Sequence, residues 1–569
     1  MNRRKFFASS LLGAGFFSRP SATQSQTTTE TVAPTGATAT AEFSTPTGKD
    51  LALVNAKIIT LDSRRPTAEA VLVRGGRIVL VGDTQEIRSQ AGKVPEYDAG
   101  GRAVTPGFVD NHCHVEDSCV VGDEQPTLRG IPSISEMIAK VRSVASQTPK
   151  GEWVLMQAAA FDFPNNVAEK RWLNRQDLDE ATQDHPVMVV LGIHASILNT
   201  RGWKETGYWE LGDGKNVLWK GDGTPRMGSI IQRDESGHPA GLATEVWDFR
   251  PGYRPEQYKA SMRRHFKEWF LSKGLTSIVT IQDTAPNEFV ALQELQKEGG
   301  LPVRLRVYPV VPHAIGLKDI TRVGWRTGFG NDMFRFGGIK FFIDGIGNDF
   351  LGNTLTDVKW TSEALTNALI MCQRGGLQTI MHVVTVEGWE MVLSSLEEAR
   401  RVSPGELHHR VDHRTLTDDA QIRRAKALGI TCGITAPQQK PGTPAFGAYA
   451  RLHRYRTLVG LDMAIAVLDA AGPGGNYHPM RAIANMIAEQ GAGGSAPPGE
   501  SVTLDQALRM WTLWPARNNS EDHDKGSIEV GKFGDFAVLS DDPRGRSPLD
   551  VHAITTHASI VGGNVVYEA

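Results

Sequence analysis

The sequence predicts an α/β fold: a (β/α)8 TIM barrel with a small β-sandwich built from both chain ends and a long insertion after barrel strand 1. Three observations predict it. Short apolar runs alternate with helical stretches from about residue 104 to 520. β-Branched, alternating text stands at both ends of the chain. A very long interval separates the first apolar run of the central region from the second. Strand and helix in alternation argue for a parallel sheet with helices outside it.

Residues 1–47 add nothing to that fold. Asn2-Arg3-Arg4-Lys5-Phe6-Phe7, followed by the modestly apolar Ala8 to Phe17, resembles a twin-arginine signal over 1–22. Its start is positive and its apolar part is too short to span a membrane. Export through the twin-arginine machinery to the periplasm or the exterior is the expectation, with no stable membrane span. Residues 23–47 are rich in Thr, Ser, Ala and Pro without apolar period and read as a disordered linker.

Over 48–103, strands are predicted at Leu51–Leu61, Ala70–Arg74 and Arg77–Val81, with Gly75-Gly76 as a hairpin signal. The same texture returns over 521–569 at Asp535–Leu539, Ala553–Thr556 and Ser559–Tyr567, where Gly562-Gly563 marks a turn. The two pieces are predicted to share one sandwich. Between them, over 104–520, eight barrel strands are predicted: Val104–Asn111, Thr276–Gln282, Arg304–Val310, Gly338–Ile343, Gln378–His382, His409–His413, Ile430–Ile434 and Ala464–Asp469. Helices are expected at Pro255–Ser272, Ser362–Arg374, Val386–Ser395 and Asp418–Leu428. A ninth apolar run, Val187–Ile193, falls in an insertion spanning about 116–265.

Bulk properties narrow the function. With 569 residues the chain is long for a single core, and 40% hydrophobic with 22% charged residues are ordinary globular values. A net charge of −3 gives no basic field for tracking phosphates, so nucleic acid is not an expected partner. The four cysteines, Cys113, Cys119, Cys372 and Cys432, form no CxxC pair, so neither a disulfide scaffold nor a structural zinc site is indicated. Arg263-Arg264-His265 with Lys267 reads as a solvated helix face, and Gly472-Pro473-Gly474-Gly475 as a flexible lip.

The strongest chemical signal is Thr105-Pro106-Gly107-Phe108-Val109-Asp110-Asn111-His112-Cys113-His114. Histidines at i and i+2 project from one side of a strand, so both imidazoles reach a single ion. Their place at a strand's C-terminal end is where barrel enzymes keep their chemistry. In Gly338-Ile339-Lys340-Phe341-Phe342-Ile343-Asp344 one face is purely apolar and should meet the outer helices, which points Lys340 inward. A buried lysine is driven towards its neutral form unless it is paired or chemically altered; an ion pair with Asp344 would also serve. His382 ends one apolar strand, His413 closes Arg410-Val411-Asp412-His413, and Asp469 stands at the tip of Ala464-Ile465-Ala466-Val467-Leu468. Each alone also suits a structural histidine or a helix cap. A barrel of ~250 residues spends roughly 30 on each strand–helix unit. Lys340 to His382 and His382 to His413 are each about one unit, and His413 to Asp469 about two. His112 to Lys340 leaves room for a long insertion.

A strand-1 HxH, a strand-4 lysine, strand-5 and strand-6 histidines and a strand-8 aspartate resemble the binuclear amidohydrolase superfamily, and the insertion resembles its amidohydrolase-3 branch. Gly192-Ile193-His194-Ala195, Arg233-Asp234 with Gly237, Pro239, Gly241 and Glu245, and Lys525-Gly526-Ser527-Ile528 with Gly531-Lys532 and Asp535-Phe536 extend the likeness over residues 49–569. The resemblance implies two divalent metal ions, with zinc suited to the imidazole and carboxylate donors. His112 and His114 would hold the buried ion and His382 and His413 the outer one. Lys340, carbamylated by carbon dioxide, would bridge them, and Asp469 would ligate the first ion and accept the proton of the bridging water. His194 and Glu245 would stand on the substrate side or around it, with His194 among the catalytic candidates.

Three departures bear on substrate and rate more than on the cage. His382 is followed by Val383-Val384-Thr385-Val386-Glu387 where Gly-Asp is usual, Asp412-His413-Arg414 replaces Glu-His and a small residue, and Leu468 precedes Asp469 where Gly-Ser is usual. The expected activity is hydrolysis of a C–N bond in a small amide, formamide or cyclic amide by a metal-bridging hydroxide. The alternatives are an esterase, lactonase, lyase or isomerase on the same cage, or an exported binding protein that has lost catalysis. A homo-oligomer is compatible with each.

Overall fold

The computed structural model describes residues 48–158, 163–164, 166–191, 195–207, 209, 231–244, 252–282, 286–311, 314–344, 360–405, 407–413, 418–435, 454–460, 465–468, 477–489, 492, 494 and 496–569. The signal-like start, the linker, His194, Glu245, Asp469 and the glycine-rich stretch 472–475 lie outside the described residues.

Strands from the two chain ends interleave. One sheet runs in the order Arg77–Gly82, Ala70–Arg74, Leu51–Val54, Glu96–Asp98. The other runs Asn564–Glu568, Thr556–Val561, Phe536–Leu539, Ala103–Pro106, Lys57–Ile59, Thr67–Ala68. Leu53, Val71 and Val73 of the first share an apolar core with Ile58, Val104, Phe536, Val538 and Ile560 of the second. Alternation explains the pattern, since each strand turns one set of side chains to this core. Two predicted strands differ. Leu51–Leu61 breaks at Asn55, which takes φ 52, and Ala553–Thr556 spans the end of a helix, Pro548–Ala553, and the start of the next strand.

The predicted run Val104–Asn111 is two strands. Ala103–Pro106 belongs to the terminal sheet, and Phe108–Cys113 (β1) starts the parallel set. The chain changes sheet at Gly107, where a Cβ would stand 2.1 Å from the Thr276 hydroxyl oxygen, so only glycine passes there. Leu275–Gln282 (β2) and Arg304–Pro309 (β3) follow, each parallel to its predecessor, with Phe334–Phe336 beside β3. Ile339–Phe342 (β4), Thr379–Val383 (β5), Arg410–His413 (β6), Thr431–Thr435 (β7) and Ile465–Leu468 (β8) form a second sheet, again parallel throughout. A parallel bridge from Val310 to Lys340 joins the end of β3 to β4. This is a TIM-barrel-like α/β arrangement.

Side chains of these strands sort by parity. Val279, Ile281, Tyr308, Val310, Phe342 and Ile380 pack together as one small cluster. Ile339, Phe341, Ile343, Met381 and Val411 instead join the large core, with Leu365 and Leu369 of helix Ser362–Gly375 and Trp389 and Val392 of helix Val386–Val402. Lys340 shares the parity of Phe342, on the face away from those helices, as the sequence pattern predicts.

Gly338 sets the entry to β4. It takes φ 145, and a Cβ there would lie 2.1 Å from the backbone oxygen of Gln378. Gly338→Ala is therefore expected to lower stability by more than about 1 kcal/mol, read as a fall in thermal midpoint.

The insertion after β1 carries its own sheet, in the order Ile231–Arg233, Pro239–Thr244, Ala195–Leu198, Val187–Leu191, Val154–Ala158. Met137, Val141, Leu178, Val189 and Ile197 form its separate core. Its expected bounds of about 116–265 are too wide. Helices Val115–Glu124 and Pro255–His265 pack into the main core through Cys119, Val120, Tyr258 and Met262. His265 is also not a solvated residue: it is buried, stacks on Trp269 at 3.6 Å between ring centroids and bonds Asp123 through Nε2 at 2.8 Å. All four cysteines are buried and none is in a disulfide. Among the described residues no helix is long and apolar enough to cross a membrane.

Candidate metal centre

Four predicted ligands stand at C-terminal strand ends, His112 on β1, His114 one residue past it, His382 on β5 and His413 closing β6, and a fifth, Lys340, lies within β4. Their rings form a chain, with centroids 5.2 Å apart for His114 and His112, 4.6 Å for His112 and His413, and 4.3 Å for His413 and His382. The Phe342 ring stands 5.1 Å from His382, and Lys340 Nζ lies 5.0 Å from the Phe342 centroid. Lys340 is fully buried, and His112, His114 and His382 are no more than 3% exposed.

Register brings them to one level. Phe342 of β4 pairs with His382 of β5, His382 with Asp412 of β6, and Val383 with His413. Lys340 pairs with Ile380, one layer deeper. His413 reaches the cluster from a left-handed backbone, φ 88, a conformation that costs energy in a non-glycine residue and collects at functional sites. The altered segment after His382 is held by Asp344, whose carboxylate accepts from the Val384 N–H at 2.9 Å, the Thr385 N–H at 2.9 Å and the Thr385 hydroxyl at 2.7 Å.

His112 is tied at both ring nitrogens. Its Nδ1 lies 2.7 Å from Asp412 Oδ2, and because a carboxylate only accepts, Nδ1 carries the proton. The Nε2 lone pair then faces His114 Nε2 at 3.3 Å. Two imidazole nitrogens on one tetrahedral ion, each at ~2.0–2.1 Å, are about 3.3 Å apart, so this pair fits a shared metal. Burial, and after it the charge of Lys340, with His114, Arg410 and His382 adding, holds the His112 pKa well below the ordinary imidazole value. Neutral imidazole is the form that ligates.

Asp412 is in turn gripped by Arg410. Nε donates to Oδ1 at 2.9 Å and Nη2 to Oδ2 at 2.7 Å. Arg410 also reaches β1, donating from Nη1 to Asn111 Oδ1 at 3.0 Å and from Nη2 to the Asn111 carbonyl at 2.6 Å. In the sequence Asp412 stands out only as a departure from the family pattern, and Arg410 on its own does not stand out. A signal existed: two opposite charges at i and i+2 on a strand share one face, here the inward one.

Among the described residues no three His, Cys, Asp or Glu side chains close on one point as a complete metal cage. What is gathered is imidazole in pairs, with a buried lysine beside them. β8 carries the chain to Leu468, paired with Thr435 of β7, one residue short of Asp469.

Known proteins resemble the chain over most of its length. A family model described as "Amidohydrolase family" matches residues 96–567. N-substituted formamide deformylase of Arthrobacter pascens is 26% identical over 561 residues, covering 91% of this chain and 98% of its own. A metal-dependent hydrolase of Pyrococcus horikoshii superposes with a TM-score of 0.63 at 17% identity, covering 88% of this chain and 98% of its own. Atrazine chlorohydrolase of Arthrobacter aurescens, solved with zinc, gives 0.52 at 12% identity, covering 91% and 95%. At these identities the two solved structures speak to the fold.

Proposed function

The chain belongs to the amidohydrolase family, and on that premise we propose an exported, binuclear metal-dependent hydrolase of N-substituted formamides or related amides and cyclic amides. That it is a metal-dependent hydrolase of C–N bonds follows from the family and its formamide-cleaving relative. The finer reading is a closed (β/α)8 barrel of β1–β8 over 104–520, with the chain ends forming a sandwich domain over 48–103 and 521–569. The twin-arginine-like start supports a periplasmic or secreted location.

His112 and His114 would hold one ion and His382 and His413 the other, two imidazoles each. Lys340, as a carbamate, and Asp469 would complete the shells, which accounts for the absence of a third His, Cys, Asp or Glu in either set of described residues. When bound, divalent ions supply a Lewis acid that lowers the pKa of water and polarises a carbonyl. The chain supplies the rest. Asp412 keeps the His112 proton on Nδ1 and the ring fixed. Asp469 takes a proton from the attacking water and delivers it to the leaving nitrogen. His194 and Glu245 would stand on the substrate side or around it.

One observation carries the reading: two buried Nε2 atoms 3.3 Å apart, one ring braced by a carboxylate at 2.7 Å. The purified protein is expected to contain two equivalents of divalent metal, with zinc suited to the donors. Chelation is expected to cut turnover of an N-formyl amine by at least about 100-fold, and added zinc to restore it. A metal-free protein with full activity rejects the cage, and faster turnover of matched esters than of formamides rejects the substrate class.

A further inference from the structure

We propose that Arg410 is a positioning residue of the metal centre, acting through Asp412 to hold the β1 histidines in register with the β6 histidine across the barrel lumen. This rests on the metal reading above. β1 and β6 are not neighbours in either sheet. The Arg410 guanidinium nonetheless touches both, gripping the residue before His413 and the residue before His112. Arg410, Asp412 and Asn111 are each 0% exposed. From Asn111 the contact continues, since its Oδ1 also accepts from Asn519 Nδ2 at 2.7 Å, and Asn519 Oδ1 lies 3.0 Å from the Tyr308 hydroxyl.

The geometry explains why arginine is required. Asp412 Oδ2 serves two donors, His112 Nδ1 and Arg410 Nη2, while Oδ1 takes Arg410 Nε. A planar fork fills both oxygens and fixes the carboxylate plane, which in turn fixes the His112 ring. Lysine offers a point charge and sets no plane. The two halves of the centre, His112 with His114 and His382 with His413, would thus be spaced by one guanidinium.

The test is a double-mutant cycle on metal binding in the full-length protein, read by metal content and by the visible spectrum of the cobalt-loaded protein. Asp412→Asn and Arg410→Met are each expected to weaken metal retention about 10- to 100-fold, the usual cost of losing an outer partner of a ligand. If Arg410 acts through Asp412, adding Arg410→Met to Asp412→Asn costs less than about threefold more, and either single variant shifts the cobalt absorption bands. Arg410→Lys, which keeps the buried charge, is measured beside these and is expected to hold metal less tightly than wild type; it stands in for Arg410→Met if that variant does not fold. Effects that multiply in the double variant, or an Arg410→Lys protein with wild-type metal affinity and cobalt spectrum, overturn the proposal. A wild-type protein that binds no metal overturns the metal reading itself and this inference with it.

Discussion

His112→Ala is expected to lower turnover at least about 1,000-fold and to leave less than one equivalent of tightly bound metal, with the fold retained. The His112 ring meets three groups at once: Asp412 at Nδ1, His114 at Nε2 and the His413 ring in a T-shaped contact. Removing it takes away half of an imidazole pair and the target of the Arg410–Asp412 brace. The fold should survive because Asp412 keeps both of its bonds to the Arg410 fork, so no charge is left alone in the interior. His409 gives the contrast. It lies on the same stretch of chain as His413 and is as buried as His112, but its Nδ1 accepts from the Thr379 N–H at 3.3 Å, away from the ring chain. His409→Asn should leave turnover and metal content near wild type. Equal loss of activity in the His112 and His409 variants would mean that general packing, not a metal centre, is being disturbed.

The residues that announced the site did so through periodicity. His112 and His114 at i and i+2, and Lys340 on the ionisable face of an otherwise apolar strand, were legible because a strand's period of two sorts side chains with no tertiary knowledge. What sequence did not reveal depends on contacts between strands far apart in the chain. Arg410 reaches Asn111 on a strand of the other sheet, and Asp412 reaches His112, so the local text of β6 marks the charged pair but not its partners. Boundaries failed for a related reason. Val104–Asn111 is a continuous β-prone run, and only the close approach of Thr276 to Gly107 shows where one sheet hands over to the next. The expected insertion, about 116–265, takes in helices Val115–Glu124 and Pro255–His265, whose apolar side chains are buried in the main core. Asp469, His194 and Glu245 lie outside the described residues, and their roles rest on the family resemblance.

Below pH 6.5 the protein is expected to lose stability steeply, by about 5 kcal/mol on going to pH 4.5, and two buried histidines remote from the metal centre are the cause. Burial pushes His409 and His478 down to about 3, with neighbouring cations adding to it, Arg400 and His408 beside the first and Lys273 and Arg481 beside the second. Their hydrogen bonds agree. His409 Nδ1 accepts from the Thr379 N–H at 3.3 Å, and His478 Nδ1 accepts from the Met480 N–H at 3.1 Å as the cap of helix Pro479–Met486, so each Nδ1 must stay unprotonated to keep its bond. In the unfolded chain both titrate near 6.5. Between 6.5 and about 3 the unfolded chain therefore binds more protons than the folded one, and stability rises with pH across that window at about 1.4 kcal/mol per unit for each group. Two groups over two units account for the expected loss, which is of the order of a domain's whole stability. His478→Asn isolates one of them, because asparagine is a good N-cap that does not titrate. Denaturant midpoints from pH 7.5 to 4.5 should then fall with a shallower slope, by about 1.4 kcal/mol per unit. An unchanged slope would mean that His478 gains its proton in the fold as easily as in the open chain.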